Sequence, residues 1–113
     1  YSPEHYRALV DVNRELLALE ETILSLEPVA PAAVANPAIR HLTRRTGDTL
    51  TVLALNAGND HPVDAEIVLP AAFAGAAQAE VLFEGRRTAV RNGRIADTFA
   101  PLARHVYAVR QAP

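Results

Sequence analysis

Residues 49–69 contain two runs of strand-forming residues separated by a cluster of turn formers. The first run, residues 49–55, is rich in threonine, valine and leucine, which favour a pleated and partly buried strand. The second run, residues 63–69, places apolar residues at every other position, as a strand with one solvated face does. Residues 56–62 between them have the composition of a loop. The pattern therefore predicts that the two strands pair antiparallel through this loop.

Similar patterns along residues 39–113 predict a mostly β fold, an antiparallel β-sandwich of about seven short strands. Gly47-Asp48 is expected to turn the first strand into the second. Asn92-Gly93 is expected to form a tight hairpin, because both residues tolerate positive φ. Phe73 lies in an alanine-rich loop and is expected to close an edge of the sandwich. The predicted strands are residues 39–46, 49–55, 63–69, 79–84, 88–91, 94–99 and 104–110, with Val81 and Phe83 on one side of the fourth.

Residues 1–27 have the pattern of one long amphipathic α-helix that precedes the strands. Ser2-Pro3-Glu4 is a typical helix opening, and Pro28 ends the helix after about Leu26. A surface helix on a single core needs one apolar stripe, so two stripes predict contacts on two sides. The alternative is one wide apolar face, since scattered exposed apolar residues are normal. The stripes are Tyr6, Leu9, Val10, Leu16, Leu17 and Leu24, and Val12, Leu16, Leu19, Ile23 and Leu26. Residues 28–38, rich in proline and alanine, are expected to form a stiff connector.

The composition narrows the function classes. The 113 residues suit one domain, and half of them are hydrophobic, which is enough for a core. A net charge of −2 gives no electrostatic basis for binding nucleic acid or an anionic membrane, and no apolar run approaches the ~20 residues of a membrane span. The absence of cysteine excludes disulfides and leaves the cellular compartment open. The absence of methionine leads us to expect that this chain is part of a longer one.

The polar residues give no pattern typical of an active site. The histidines, at positions 5, 41, 61 and 105, do not have the clustered spacing of zinc ligands. Asn56, Asp60 and Asp64 could offer oxygens to Ca²⁺, but the spacing of a calcium loop is missing. The serines lack a nucleophile elbow, and a pair of facing carboxyls, as a glycosidase needs, is not visible. Phe83 and Tyr107, the aromatic residues that could stack on a sugar, are expected to pack in the core. No residue is therefore assigned a catalytic, cofactor-binding or metal-binding role.

Three segments carry a family resemblance. Residues 6–16 read YRALVDVNREL, residues 40–56 hold an arginine-bearing strand followed by Gly47-Asp48 and TVLALN, and residues 97–107 read DTFAPLARHVY. Together they resemble the C-terminal end of a barrel-type glycoside hydrolase, namely its last barrel helix and the opening and closing strands of its C-terminal β-sandwich. The resemblance implies that the sandwich packs through the helix against the catalytic (β/α) barrel of the same parent chain. The catalytic motifs of the barrel have no counterpart here, so no catalytic residue can be carried over.

The leading hypothesis is thus a non-catalytic accessory β-sandwich that stabilises or abuts a glycosidase barrel. The first alternative is a stand-alone module whose partner is a glycan or another protein. The second is a homodimer in which two copies of the helix satisfy each other's spare stripe. The two apolar stripes favour an interaction role, but they do not distinguish a barrel from a second copy.

Overall fold

The computed structural model describes residues 27–58 and 60–112. These residues form a mostly β structure of eight strands and one short 3-10 turn. The strands are β1 (Ala33–Val34), β2 (Ile39–Thr46), β3 (Thr49–Asn56), β4 (Val63–Val68), β5 (Gln78–Val81), β6 (Arg86–Ala89), β7 (Arg94–Phe99) and β8 (Arg104–Arg110). The predicted helix with its two apolar stripes lies outside the described residues. Strand β1 lies inside the segment predicted to be a connector.

The strands form two antiparallel sheets. One sheet has three strands in the order β1-β4-β7, and the other has five strands in the order β2-β3-β8-β5-β6. Of the seven connections, only β2–β3 and β5–β6 join neighbouring strands of one sheet, and the other five cross between the sheets. The chain therefore passes repeatedly from one layer to the other, which is how the strands of a sandwich share one core.

The core lies between the two sheets and takes side chains from both. Leu50 and Val52 of β3 and Val109 of β8 are fully buried, as are Ile67 of β4 and Ile95 of β7. Alternate residues of each strand point into this layer, as the period of two requires. Phe73, from the 3-10 turn Ala71–Phe73, is also fully buried, and the Arg45 guanidinium lies 5.5 Å from its ring centroid. This architecture fits the predicted antiparallel β-sandwich.

The predicted pairing of residues 49–55 with residues 63–69 is wrong. Strand β3 is paired on both sides, with β2 and β8, while β4 pairs with β1 and β7 in the other sheet. The fully buried Asn56 directs the chain out of β3. Its Nδ2 donates to the carbonyl oxygens of Phe99 and Ala100, each at 3.2 Å, and its Oδ1 accepts the Gly58 N–H at 2.9 Å. The loop is therefore fastened to the β7–β8 connection and carries the chain across to the second sheet.

Two other turns also differ in part from the prediction. Asn92 and Gly93 have φ values of 52° and 74°, as a tight turn requires, but only the Arg91–Arg94 bridge closes it. Strand β6 pairs with β5, and β7 pairs with β4, so the predicted hairpin between the two strands is wrong. The predicted fourth strand ends early, because Phe83 and Gly85 have φ values of 66° and 64° and turn the chain into β6.

The predicted β2–β3 hairpin is confirmed. Its strands pair in register from Ile39–Asn56 to Thr46–Thr49, and Gly47, with φ of 62°, occupies the turn. Gly47 also donates its N–H to the Glu27 carboxylate at 3.1 Å. The start of the described chain is therefore held at this turn.

Candidate functional site

A group of charged and polar side chains connects the two sheets. The alternation of β7 points Asp97 inward between Ile95 and Phe99, and the alternation of β8 points His105 and Tyr107 toward it. Arg86 enters from the start of β6, where it pairs with the inward-facing Val81. We call this group the inter-sheet cluster, and its members are Glu84, Arg86, Asp97, His105 and Tyr107.

Hydrogen bonds join all five members of the inter-sheet cluster. The Tyr107 hydroxyl donates to Asp97 Oδ2 at 2.6 Å, and Arg86 Nη2 donates to the same oxygen at 2.9 Å. Arg86 Nε donates to Glu84 Oε1 at 3.0 Å, and His105 Nδ1 bonds the other oxygen of Glu84. One arginine thus bridges Asp97 of the three-stranded sheet and Glu84 of the β5–β6 turn, at the edge of the five-stranded sheet.

The electrostatics of the inter-sheet cluster favour ionised carboxylates. Burial raises the pKa of Asp97, but hydrogen bonds from Tyr107, Arg86 and the Thr98 N–H outweigh it and leave this pKa below its usual value. Burial likewise opposes ionisation of Glu84, and hydrogen bonds from His105 and Arg86 lower its pKa overall. Burial first and then the Asp97 carboxylate raise the pKa of Tyr107 above the ordinary phenol value.

This geometry suits a clamp between the sheets better than acid–base chemistry. A glycosidase acid needs a carboxyl with a raised pKa that holds its proton near neutral pH, whereas Glu84 and Asp97 both have lowered pKa values. His105 Nδ1 faces Glu84, and its Nε2 lies 3.1 Å from the Thr98 carbonyl oxygen, so neither ring nitrogen is open to a substrate. The His105 ring also packs on Phe99 with 4.7 Å between the centroids.

The two other histidines among the described residues lie apart from the inter-sheet cluster. His41 is exposed on β2, and His61 pairs with the exposed Asp60 at 3.2 Å. His5 lies outside the described residues.

The residues considered for calcium do not form a site. Asn56 is buried and uses its amide on backbone groups, and Asp64 Oδ1 accepts the Thr98 hydroxyl at 2.7 Å. Across residues 27–58 and 60–112, no three histidine or acidic side chains come together as metal ligands would.

Sequence reasoning missed Glu84 and Arg86, because the predicted fourth strand runs to residue 84 and leaves Arg86 in a turn outside the strands. The missing information was the early end of β5, which places Arg86 opposite Val81 on the inner face. Asp97, His105 and Tyr107 were visible in the DTFAPLARHVY segment, and the structure shows that this segment supplies three members of the cluster. The sequence of this segment indicates two strands, but only the sheet topology shows that Arg86 contacts them.

A second feature is an exposed apolar surface where β3 ends and β8 begins. Leu55, Phe83 and Leu102 are 38%, 50% and 61% exposed, and we call them the apolar end. Leu55 pairs with Arg104, and Phe83 and Arg104 line a cleft of about 210 Å³. The expectation that Tyr107 packs in the core is confirmed, because it is fully buried, but the same expectation is wrong for Phe83. Sequence alternation had placed Phe83 inside because it missed the turn.

Another cleft, of about 650 Å³, lies elsewhere, and its walls include Glu66 and Arg94. These two residues form an ion pair at 2.5 Å, so the carboxylate in this cleft is already neutralised. No helix in the described part of the chain has the length and apolar character needed to cross a membrane. In comparisons with known proteins, no family model, no curated sequence and no solved structure matches this chain.

Proposed function

We propose that this chain is a non-catalytic accessory β-sandwich of a glycoside hydrolase-like protein, and that it packs against the catalytic barrel of the same parent chain. The observation that carries the proposal is the apolar end, where Leu55, Phe83 and Leu102 are exposed together. All three lie close to Arg104, because Leu55 pairs with it, Phe83 lines a cleft with it and Leu102 precedes it by two residues. Neighbouring exposed apolar side chains of this kind are typical of a contact site. The glycosidase identity of the parent rests on the family resemblance of the sequence.

Backbone conformation supports a contact role for the apolar end. Phe83 and Leu102 have φ values of 66° and 60°, a region that costs a non-glycine residue on the order of 1 kcal/mol. Glycine would relieve this cost at both positions. Large apolar side chains on strained and exposed turns are unfavourable for the isolated domain, so their benefit is expected to come from a partner.

The inter-sheet cluster supports a structural rather than a chemical role for the charged residues. Its carboxylates bind Arg86, His105 and Tyr107, and that of Asp97, with its side chain 14% exposed, lies between the sheets. Incubating the chain with a panel of aryl glycosides tests this part of the proposal. We expect no turnover above background, and turnover that persists through repurification would overturn it.

The packing role is tested in the full parent chain with Phe83→Gly and Leu102→Gly. We expect both variants to loosen the contact between sandwich and barrel, so that protease cuts between them faster and the two parts melt separately. Val68→Gly is the surface control, because Val68 is 38% exposed on β4 of the other sheet. Proteolysis and melting unchanged from wild type in both test variants would contradict the proposal.

A glycan-binding module is the second candidate, and one observation favours it. Phe83 is a half-exposed aromatic residue beside the cleft that Glu84 and Arg104 also line, and such rings can stack on sugars. Affinity electrophoresis in soluble glycans distinguishes the candidates. Retardation that Phe83→Ala abolishes and Leu102→Ala preserves would support glycan binding, whereas migration unchanged in every glycan would favour the accessory role.

A further inference from the structure

The outer face of the five-stranded sheet points away from the core. Residues directly opposite each other on paired strands share one face, so the register assigns this face without ambiguity. It carries Arg40, Leu42 and Arg44 of β2, Thr51, Leu53 and Leu55 of β3, Arg104, Val106, Ala108 and Arg110 of β8, Glu80 of β5 and Arg87 of β6. The three-stranded sheet contributes to the core on the opposite side.

A row of aliphatic side chains crosses the middle of this outer face. Leu42 pairs with Leu53, Leu53 pairs with Val106, and the Leu82 N–H donates to the Val106 carbonyl oxygen at 2.8 Å. The centre of the face is shielded from water, since Val106 is 4% and Thr51 is 5% exposed. Leu55, one pair further along, is 38% exposed. The row therefore stops at Leu53 on this side, and the apolar end begins at Leu55, the next outward residue of β3.

The charges around the row are mostly positive. Five arginines and one glutamate lie on the outer face, with Arg40 and Arg104 on one side of the row and Arg44 on the other. A partner for this surface should therefore combine an apolar stripe with flanking acids.

Residues 1–26 have this composition. They contain five acidic residues and two arginines. At helical spacing, Val12, Leu16, Leu19, Ile23 and Leu26 form one stripe, with Asp11 and Glu15 along one flank and Glu20 along the other. Glu27 directly follows this segment, and its carboxylate accepts the Gly47 N–H at the β2–β3 turn of the same sheet.

We propose that residues 1–26 dock as a helix on the outer face of the five-stranded sheet, with the Val12–Leu26 stripe on the Leu42–Leu53–Val106–Leu82 row. The acids of the segment then face Arg40, Arg44 and Arg104. The sandwich becomes a three-layer unit, and the second stripe of the helix, which includes Tyr6, Leu17 and Leu24, points away from the sheet. The proposed docking is argued from the apolar row and the arginines of the outer face, and it does not depend on the identity of the parent protein.

The direct test is nuclear Overhauser spectroscopy on the unmodified chain. We expect cross-peaks from the methyl groups of Leu53 and Val106 to those of Leu19 and Ile23. A mixed sample of labelled and unlabelled chains, read through an isotope filter, separates contacts within one chain from contacts between copies. Absence of these cross-peaks, or their appearance only between copies, would overturn the proposal, and the latter result would establish a homodimer through the helix.

A pair of substitutions provides a second test of the docking proposal. Ile23→Ser, in the docking stripe, should shift the methyl resonances of Val106 and Leu53 and lower the urea midpoint. Leu17→Ser, in the other stripe, should leave the resonances of Val106 in place. The proposal fails if both variants shift Val106 equally, or if Leu17→Ser alone does so.

Discussion

Tyr107 shows how one polar atom can organise a buried site. Its ring is fully buried in the core, yet its hydroxyl reaches the Asp97 carboxylate on the other sheet at 2.6 Å. A buried carboxylate is costly unless hydrogen bonds and an opposite charge compensate it. Tyr107 and Arg86 both donate to the same Asp97 oxygen and supply this compensation. Tyr107 therefore fills the same space in the core as phenylalanine would. Its hydroxyl also gives the Asp97 carboxylate a hydrogen bond, which phenylalanine could not provide.

Tyr107→Phe should lower the free energy of unfolding by about 2 kcal/mol, the usual value of a hydrogen bond to a charged group. Urea denaturation of the variant measures the loss. The matched control repeats the substitution in an Asp97→Asn background, where the acceptor no longer carries a charge. We expect the loss there to be less than half as large, and equal losses in the two backgrounds would show that the ring's packing, and not the hydroxyl, is responsible.

Asn56→Ala should be among the most destabilising single substitutions in the described part of the chain. It removes donors to the carbonyl oxygens of Phe99 and Ala100 and the acceptor of the Gly58 N–H. We expect a loss of about 3 kcal/mol, because backbone groups are left without partners where the chain crosses between the sheets. Asn36→Ala is the control, since Asn36 accepts a comparable local N–H bond from Ala38 in a more exposed position. Similar losses in the two variants would contradict a special role for Asn56.

Among the elements, strand positions were predicted from the sequence more accurately than strand partners. The period-two pattern located β2, β3, β4, β7 and β8, and glycine chemistry located the turns at Gly47 and Gly93. Turn chemistry could not distinguish a hairpin from a connection that crosses between sheets. The Asn92-Gly93 turn has the expected dihedrals, yet β7 leaves it to pair with β4. Partner choice depends on contacts distant in sequence, such as those of Asn56 with Phe99, which local patterns do not contain.

The same limit explains why the sequence placed only some members of the inter-sheet cluster in strands. Alternation correctly placed Asp97 in one strand and His105 and Tyr107 in the next, but Glu84 and Arg86 join them only through the β5–β6 turn. That turn depends on a phenylalanine, Phe83, at φ of 66°, a conformation that local propensity disfavours. The unfavourable backbone conformation of Phe83 thus lies beside both the inter-sheet cluster and the apolar end, as is expected near functional or strained sites.

The two glycine turns provide a prediction about elements. Gly47 and Gly93 both have positive φ, but a Cβ at Gly47 would meet nothing within 4 Å, whereas one at Gly93 would lie 3.0 Å from Ala74 Cβ. Gly47→Ala should therefore cost only the backbone term of about 1 kcal/mol. Gly93→Ala should cost about 1–2 kcal/mol more, because the 3-10 turn must move.

Ala74→Gly supplies the control for this comparison, because it removes the atom that the new Cβ would meet. In its background, the cost of Gly93→Ala, measured by urea denaturation, should fall toward that of Gly47→Ala. Equal costs of Gly93→Ala with and without Ala74 would contradict the steric explanation.

At the scale of the whole molecule, the two sheets are joined by apolar burial and by the inter-sheet cluster, and these two contributions respond differently to solution conditions. Apolar burial does not titrate. The ionised carboxylates of Glu84 and Asp97 do, and Arg86 holds them together across the sandwich. The association of the two layers should therefore have a component that acid removes.

The sign of this acid response follows from the direction of the pKa shifts. Glu84 and Asp97 have pKa values below their usual range in the folded chain, whereas the unfolded chain has ordinary values of about 4. Their stabilisation is complete above the unfolded-state values and is lost as the pH falls through the folded-state values. We therefore expect the free energy of unfolding to fall as the pH decreases below about 4.

Urea titrations at several pH values between about 2 and 7 measure this slope. Asp97→Asn should lower stability at neutral pH and flatten the slope below about pH 4, because one of the two titrating groups is gone. Glu80→Gln, which removes a carboxylate on the outer face, is the control and should change the slope less. A slope in Asp97→Asn as steep as in the wild type would mean that acid acts elsewhere in the molecule. A flattened slope would show that the ionised Asp97 links the two sheets, since its main partners, Arg86 and Tyr107, both lie on the five-stranded sheet opposite β7.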